Sequence, residues 1–140
     1  MSEKFQILTN FIKDMSSETP DIQTYMFVKE NISKYQLNIE ISSKPIKNRM
    51  IEVNTILKFE DKSQSDKKSH FEIVYASIVK INESIDDRKE IEKIIICDVP
   101  KTIYPKIEKS FLNILSDSGY PNVKIEKKID FEKLYNERSK

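Results

Sequence analysis

The chain has 140 residues, 34% of them charged and 38% hydrophobic, and its 24 basic and 23 acidic side chains leave a net charge of +1. That length fits one domain, 1–140, with one modest core, and the balanced charge excludes general steering toward nucleic acid or an anionic membrane. Its one glycine, Gly119, excludes phosphate loops and dinucleotide fingerprints, which need several glycines so that backbone can approach phosphate.

One cysteine, Cys97, excludes an internal disulfide and a cysteine-built zinc cluster, and it fits a reducing cytoplasm. The N-terminus, Met1-Ser2-Glu3-Lys4-Phe5, lacks the apolar stretch of a signal peptide, and no apolar run approaches the roughly 18 residues of a membrane span. The expectation is a cytoplasmic protein with no membrane insertion, no metal and no cofactor. So polar a small globule also suits a subunit that completes its core by assembling with copies of itself.

In chain order, Phe5 to Ile12 reads as a strand, Lys13 to Thr19 is polar, and Pro20 stops regular structure. Asp21 to Ser33 carries Ile22, Tyr25, Met26, Phe27, Val28 and Ile32 without a clean period. It reads as an extended crossing loop, unusually apolar for a loop. Tyr35, Leu37, Ile39 and Ile41 alternate with polar residues, as do Ile51, Val53, Thr55, Leu57 and Phe59. Period two marks two strands, and the polar turn Ser43 to Arg49 makes them an antiparallel hairpin.

After a polar loop from Asp61 to Lys68, the run Phe71 to Ile81 is apolar on much of both faces. Such a strand needs cover on both sides, one of which a second subunit could supply. Glu83 to Cys97 reads as a helix with weak early turns. Ile103, Tyr104, Ile107, Phe111, Leu112, Ile114 and Leu115 recur at spacings of mostly three and four, an amphipathic helix over 100–118. Pro105 lies near its start or kinks a longer helix. Gly119 suits the position after the helix end, where φ is positive. Asp130 can cap a last helix with Phe131, Leu134 and Tyr135 on one side. Strands first and helices last is an α+β pattern.

Several landmarks stand in one order: Phe11-Ile12-Lys13-Asp14-Met15-Ser16-Ser17-Glu18-Thr19-Pro20, Phe71 to Ile78, Pro100-Lys101-Thr102-Ile103-Tyr104-Pro105, Gly119-Tyr120-Pro121, and Ile129-Asp130-Phe131-Glu132-Lys133-Leu134-Tyr135. Taken together these resemble SecB, the protein-export chaperone family, from about Phe11 to Tyr135. Each motif alone is weak, and the order and spacing are what is specific. The chain departs from the family in its near-neutral charge, in Ser17 where an aromatic is usual, in Ala76-Ser77 where glycines are usual, and in lacking a long polar tail.

The resemblance implies a four-stranded antiparallel sheet followed by helices packed on one face, assembled as a homotetramer, a dimer of dimers. It implies two further partners, unfolded preproteins and the translocase motor SecA. Carried over by position, Asp14, Glu18 and Glu72 fall where the family contacts the zinc-bearing tail of SecA. Tyr25, Phe27, Ile32 and Tyr35, with the flexible Met26, fall where it lines the client groove. Phe71, Ile73 and Tyr75 fall on the strand used for subunit assembly. The function implied is an ATP-independent holdase that keeps preproteins fit for export. The alternatives are a SecB-like chaperone of a toxin–antitoxin system and a structural α+β adaptor module.

For catalysis the residues offer little. His70, the sole histidine, sits between a polar loop and a strand, away from any evident nucleophile and orienting acid. Cys97 follows three isoleucines and reads as a buried, inert thiol. No catalytic residue is assigned.

Overall fold

A computed structural model describes residues 4–63, 65–125 and 129–138. Four strands, β1 (Phe5–Glu18), β2 (Gln36–Pro45), β3 (Met50–Glu60) and β4 (His70–Ile81), form one antiparallel sheet in the order β1-β4-β3-β2. The register puts Ile39 opposite Leu57, and Leu57 opposite Ile73. Residues directly opposite share a face, so the odd-numbered side chains of β2, β3 and β4 all point to one side. Val53, Leu57, Phe59, Phe71, Ile73, Val79 and Ile81 are buried there.

The helices cover that side. Residues α2 (Arg88–Lys93), a π-helical turn (Ile94–Asp98) and α3 (Val99–Asp117) form one run, followed by α4 (Phe131–Arg138). Ile103, Ile107, Phe111 and Leu115 recur every fourth residue and are buried. Phe111 meets Phe59 edge-on, ring centroids 6.2 Å apart, which fixes α3 against the middle of the sheet.

Four expectations need correction. The segment after Pro20 is not an extended loop but a helix, α1 (Ile22–Asn31), followed by a 3₁₀ turn (Ile32–Lys34). Asp21 caps it, accepting from the Thr24 amide at 2.7 Å. Thr24 and Val28 face inward while Ile22 and Met26 face outward. Apolar residues on both sides erase the period that would reveal a helix. Strand β1 runs on to Glu18, because its polar half still pairs with β4 along an edge where one side meets water.

The expected first helix is shorter, since Asn82 to Asp87 form a turn in which Asn82 accepts from Ser84. Nor is there a break at Pro100. The π-helical turn ahead of it carries the chain straight into α3, so Pro105 lies inside a longer helix. Pro105 and Lys101 are both exposed, so the Lys101 carbonyl that proline leaves without its helical donor can meet water.

Gly119 closes α3 with φ +101°, as the Tyr120 amide donates back to the Leu115 carbonyl at 2.9 Å. The Tyr25 hydroxyl donates to the Gly119 carbonyl at 2.9 Å, and the Tyr25 and Tyr120 rings stack 5.3 Å apart. A Cβ at Gly119 would lie 2.6 Å from Tyr25 Cε1. Two separate constraints thus demand glycine. Gly119→Ala should lower unfolding stability by ~2–4 kcal/mol, read as a reduced denaturant midpoint; an unchanged midpoint would show that neither constraint costs stability.

Candidate polypeptide-binding site

Strand β2 is an edge, and beside it runs a groove of ≈ 860 Å³. Its apolar lining is Leu37, Ile39 and Phe59 from the sheet and Ile125, Ile129 and Leu134 from the segment leading into and along α4. Lys124, Lys133, Asp130 and Glu137 also line it, so its lining carries both signs. Leu37 and Ile39 are half-buried, and the main helical run meets β2 only further along, where Glu92, Ile95 and Ile96 stand by Ile41 and Ser43. Alternation in β2 was the signal for them. Ile125, Ile129 and Leu134 left only scattered apolar positions in a charged stretch.

Of the five residues expected to meet client, only Tyr35 lines this groove. It is nearly buried, packs on Phe59 and Phe71, and its hydroxyl accepts from the Ser69 amide at 3.1 Å. Burial pushes the Tyr35 phenol above its ordinary pKa. Tyr25 is tied to Gly119 and Tyr120, with Lys29 Nζ 5.8 Å above its ring centroid. Phe27 and Ile32 are half-buried, and Met26 is 60% exposed. The region therefore divides into a packed part, Tyr25 and Tyr35, and an accessible part headed by Met26.

The second surface is the sheet face away from the helices. Ser16 stands opposite Glu72, so Asp14 and Glu18 flank Glu72 on the same face. Strand geometry separates such diagonal neighbours by roughly 7–8 Å. Glu72 is 3.6 Å from Lys58 Nζ, which also lies 3.9 Å from Glu40. Lys13, at a bulge in β1, reaches Glu52 at 2.7 Å across β4, and that hydrogen bond, with one from Asn54, holds the Glu52 carboxyl below its usual range. The three carboxylates thus lie together on a rigid surface with lysines interleaved.

Phe71, Ile73 and Tyr75, expected at a contact between subunits, point instead into the protomer's own core. Phe71 and Ile73 are 0% exposed, because odd positions of β4 lie beneath the helices. The accessible apolar residues of β4 are the even ones, Val74 and Ile78, half-buried on the open face. The apolar edge is on β1. Of seven exposed large hydrophobic residues among those described, Leu8, Phe11, Ile12 and Met15 all belong to it. A long, apolar, unpaired edge is a template for pairing with another chain.

His70 is exposed at the start of β4, opposite Glu18. Cys97 is fully buried, and desolvation, with Glu132 and Asp98 nearby, pushes its thiol up to about 11. Among the described residues no group of three or more His, Cys, Asp and Glu side chains is placed to hold a metal, and no helix is long and apolar enough to cross a membrane.

A sheet with one covered face, an apolar free edge and an apolar groove beside the other edge defines a protein arranged for contact with other polypeptides. The family described as preprotein translocase subunit SecB matches residues 1–140, and the chain belongs to that protein-export chaperone family. It is 62% identical over 139 residues to a SecB sequence of Pelagibacter ubique, covering 99% of each chain. It is 24% identical to the protein-export protein SecB of Bartonella bacilliformis, covering 96% of this chain and 82% of that one. A SecB-like chaperone of Mycobacterium tuberculosis, solved with a ChAD peptide from an antitoxin, shares the fold with a TM-score of 0.64 at 13% identity, over 89% of this chain and 91% of that one.

The Cys97 environment gives a direct check on the core. At pH 8 a thiol reagent should label the folded protein at least about a hundredfold more slowly than the unfolded chain, with the rate rising as pH approaches 11. Equal rates would place Cys97 outside the core.

Proposed function

We propose that this chain is an ATP-independent holdase that binds unfolded preproteins in the cytoplasm, keeps them competent for translocation and passes them to SecA. The observation that carries the reading is the groove beside the β2 edge, in a member of a protein-export chaperone family. Extended client can pair with the β2 edge through backbone, which is independent of sequence. Its side chains would rest on Leu37, Ile39, Phe59, Ile125, Ile129 and Leu134. Burying on the order of 500 Å² of client apolar surface gives roughly 12 kcal/mol gross. Ordering the client consumes most of that and leaves affinity at about micromolar per groove.

Assembly multiplies this. The apolar β1 edge and the open-face residues Phe11, Val74 and Ile78 supply surface for pairing between subunits, as a dimer of dimers requires. A long client touching several grooves then gains through effective concentration. Asp14, Glu18 and Glu72 are the proposed docking point for the basic, zinc-bearing tail of SecA, where clustered carboxylates favour encounter and specificity.

Two experiments separate the parts. Leu37→Ser with Ile129→Ser should weaken suppression of client aggregation, measured without nucleotide, by about tenfold or more, while native mass measurement still finds the tetramer. Undiminished suppression would remove the groove from the reading. Asp14→Asn, Glu18→Gln and Glu72→Gln together should abolish capture of the SecA tail and leave client affinity unchanged; retained capture would move the docking point elsewhere.

A further inference from the structure

The β2 edge is not free along its whole length. Arg138, in the last turn of α4, donates from Nη1 to the Ile41 carbonyl at 2.8 Å. The partner is informative. In an antiparallel ladder each residue directs both its N–H and C=O either toward its neighbour or away. At the β2–β3 hairpin the Ile46 amide donates to Met50, so even positions of β2 face β3 and odd positions face outward. Leu37, Ile39, Ile41 and Ser43 are then the outward rungs, and Arg138 occupies the carbonyl of the third.

The cavities are divided at the same point. The ≈ 860 Å³ groove is lined by Gln36, Leu37, Asn38 and Ile39 of β2 and ends at Glu137 of α4. Ile41 and Ser43 line a separate cavity of ≈ 270 Å³, with Arg138, Tyr135 and Ile95. The guanidinium therefore stands where the two spaces would otherwise join. Its planar fork of donors suits the capping of a carbonyl.

We propose that Arg138 is a register stop, a positioning residue that limits backbone pairing by client to the Leu37 and Ile39 rungs. The inference rests on the groove reading above and adds its selectivity. Two rungs accommodate an extended segment of about five residues. Past them the client must turn away or end its pairing. The preferred ligand is thus a short extended stretch with apolar side chains at alternate positions, and neighbouring client sequence goes unread.

The test uses the full-length protein and uncharged alternating Val-Thr peptides of increasing length, with affinity and backbone amide exchange as readouts. In the natural protein, affinity should stop rising at about five residues, with the Ser43 amide unprotected. In Arg138→Ala the plateau should move about four residues longer, with affinity for the longer peptides raised about tenfold and Ser43 newly protected. Tyr135→Phe, which removes another tie of α4, its hydroxyl bond to the Lys89 carbonyl, should leave the plateau in place. An unmoved plateau in Arg138→Ala overturns the proposal, as does equal weakening at every length, which would make Arg138 only a fastening for α4. If the natural protein binds no peptide of any length, the groove reading fails first and this one with it.

Discussion

Four strands present two faces and two edges, and one run of helix from Arg88 to Asp117 can cover only one face. Everything accessible in this protein follows from that shortage of cover. Odd positions of β3 and β4 lie under α3 and are spent on stability. Even positions, apart from the buried Ala76, lie partly exposed on the open face, charged side chains among them. Edge strands are ordinarily blunted by charge, bulges or a covering element. Here β1 carries two bulges and a polar second half yet keeps Leu8, Phe11, Ile12 and Met15 exposed. The other edge is shadowed by α4, which stands far enough from β2 to leave a groove and close enough for Arg138 to touch it.

Aromatic contacts hold these parts in relation. Tyr25 stacks on Tyr120, Tyr120 meets Phe71 edge-on, and Phe71 touches Tyr35 and Phe59. One chain of rings therefore leads from α1, through the end of α3, to the wall of the groove. A small polar knot lies beside it. Thr19 and Ser69 hydroxyls are 2.7 Å apart, Ser69 reaches the Tyr120 hydroxyl at 3.4 Å, and the Ser69 amide serves Tyr35. Buried hydroxyls satisfied in this way add direction to a core that apolar packing alone would leave permissive.

Much of this was legible in the residues. Period two marked β2 and β3, and a continuous apolar run marked β4; spacings of three and four marked α3, and the lone glycine its end. What escaped had physical causes. Helix α1 is short and apolar on two sides, so its period vanished, although Asp21 three residues before Thr24 was a readable cap. Strand β4 is apolar on both faces, and nothing local says which face the helices take. That choice is made by α3, and it put Phe71 and Ile73 inside. The groove was half legible: Leu37 and Ile39 lay on a clear alternation. Ile125, Ile129 and Leu134 became neighbours of β2 only when α4 folded back across it. The acidic trio depended on register between β1 and β4, and family resemblance supplied what periodicity could not.

The pairing of Phe5 with Ile81 also has a consequence in time. The β2–β3 hairpin joins neighbours in sequence and can close as soon as both strands exist. Strand β1 is made first but pairs with β4, so its partner arrives last among the strands. Closing that long loop before any contact rewards it is the slow kind of event in folding. During synthesis, from the N-terminus onward, the most apolar edge of the molecule is therefore the one that waits longest without a neighbour. A nascent chain therefore passes through an interval in which Leu8, Phe11, Ile12 and Met15 are extended and have no strand beside them.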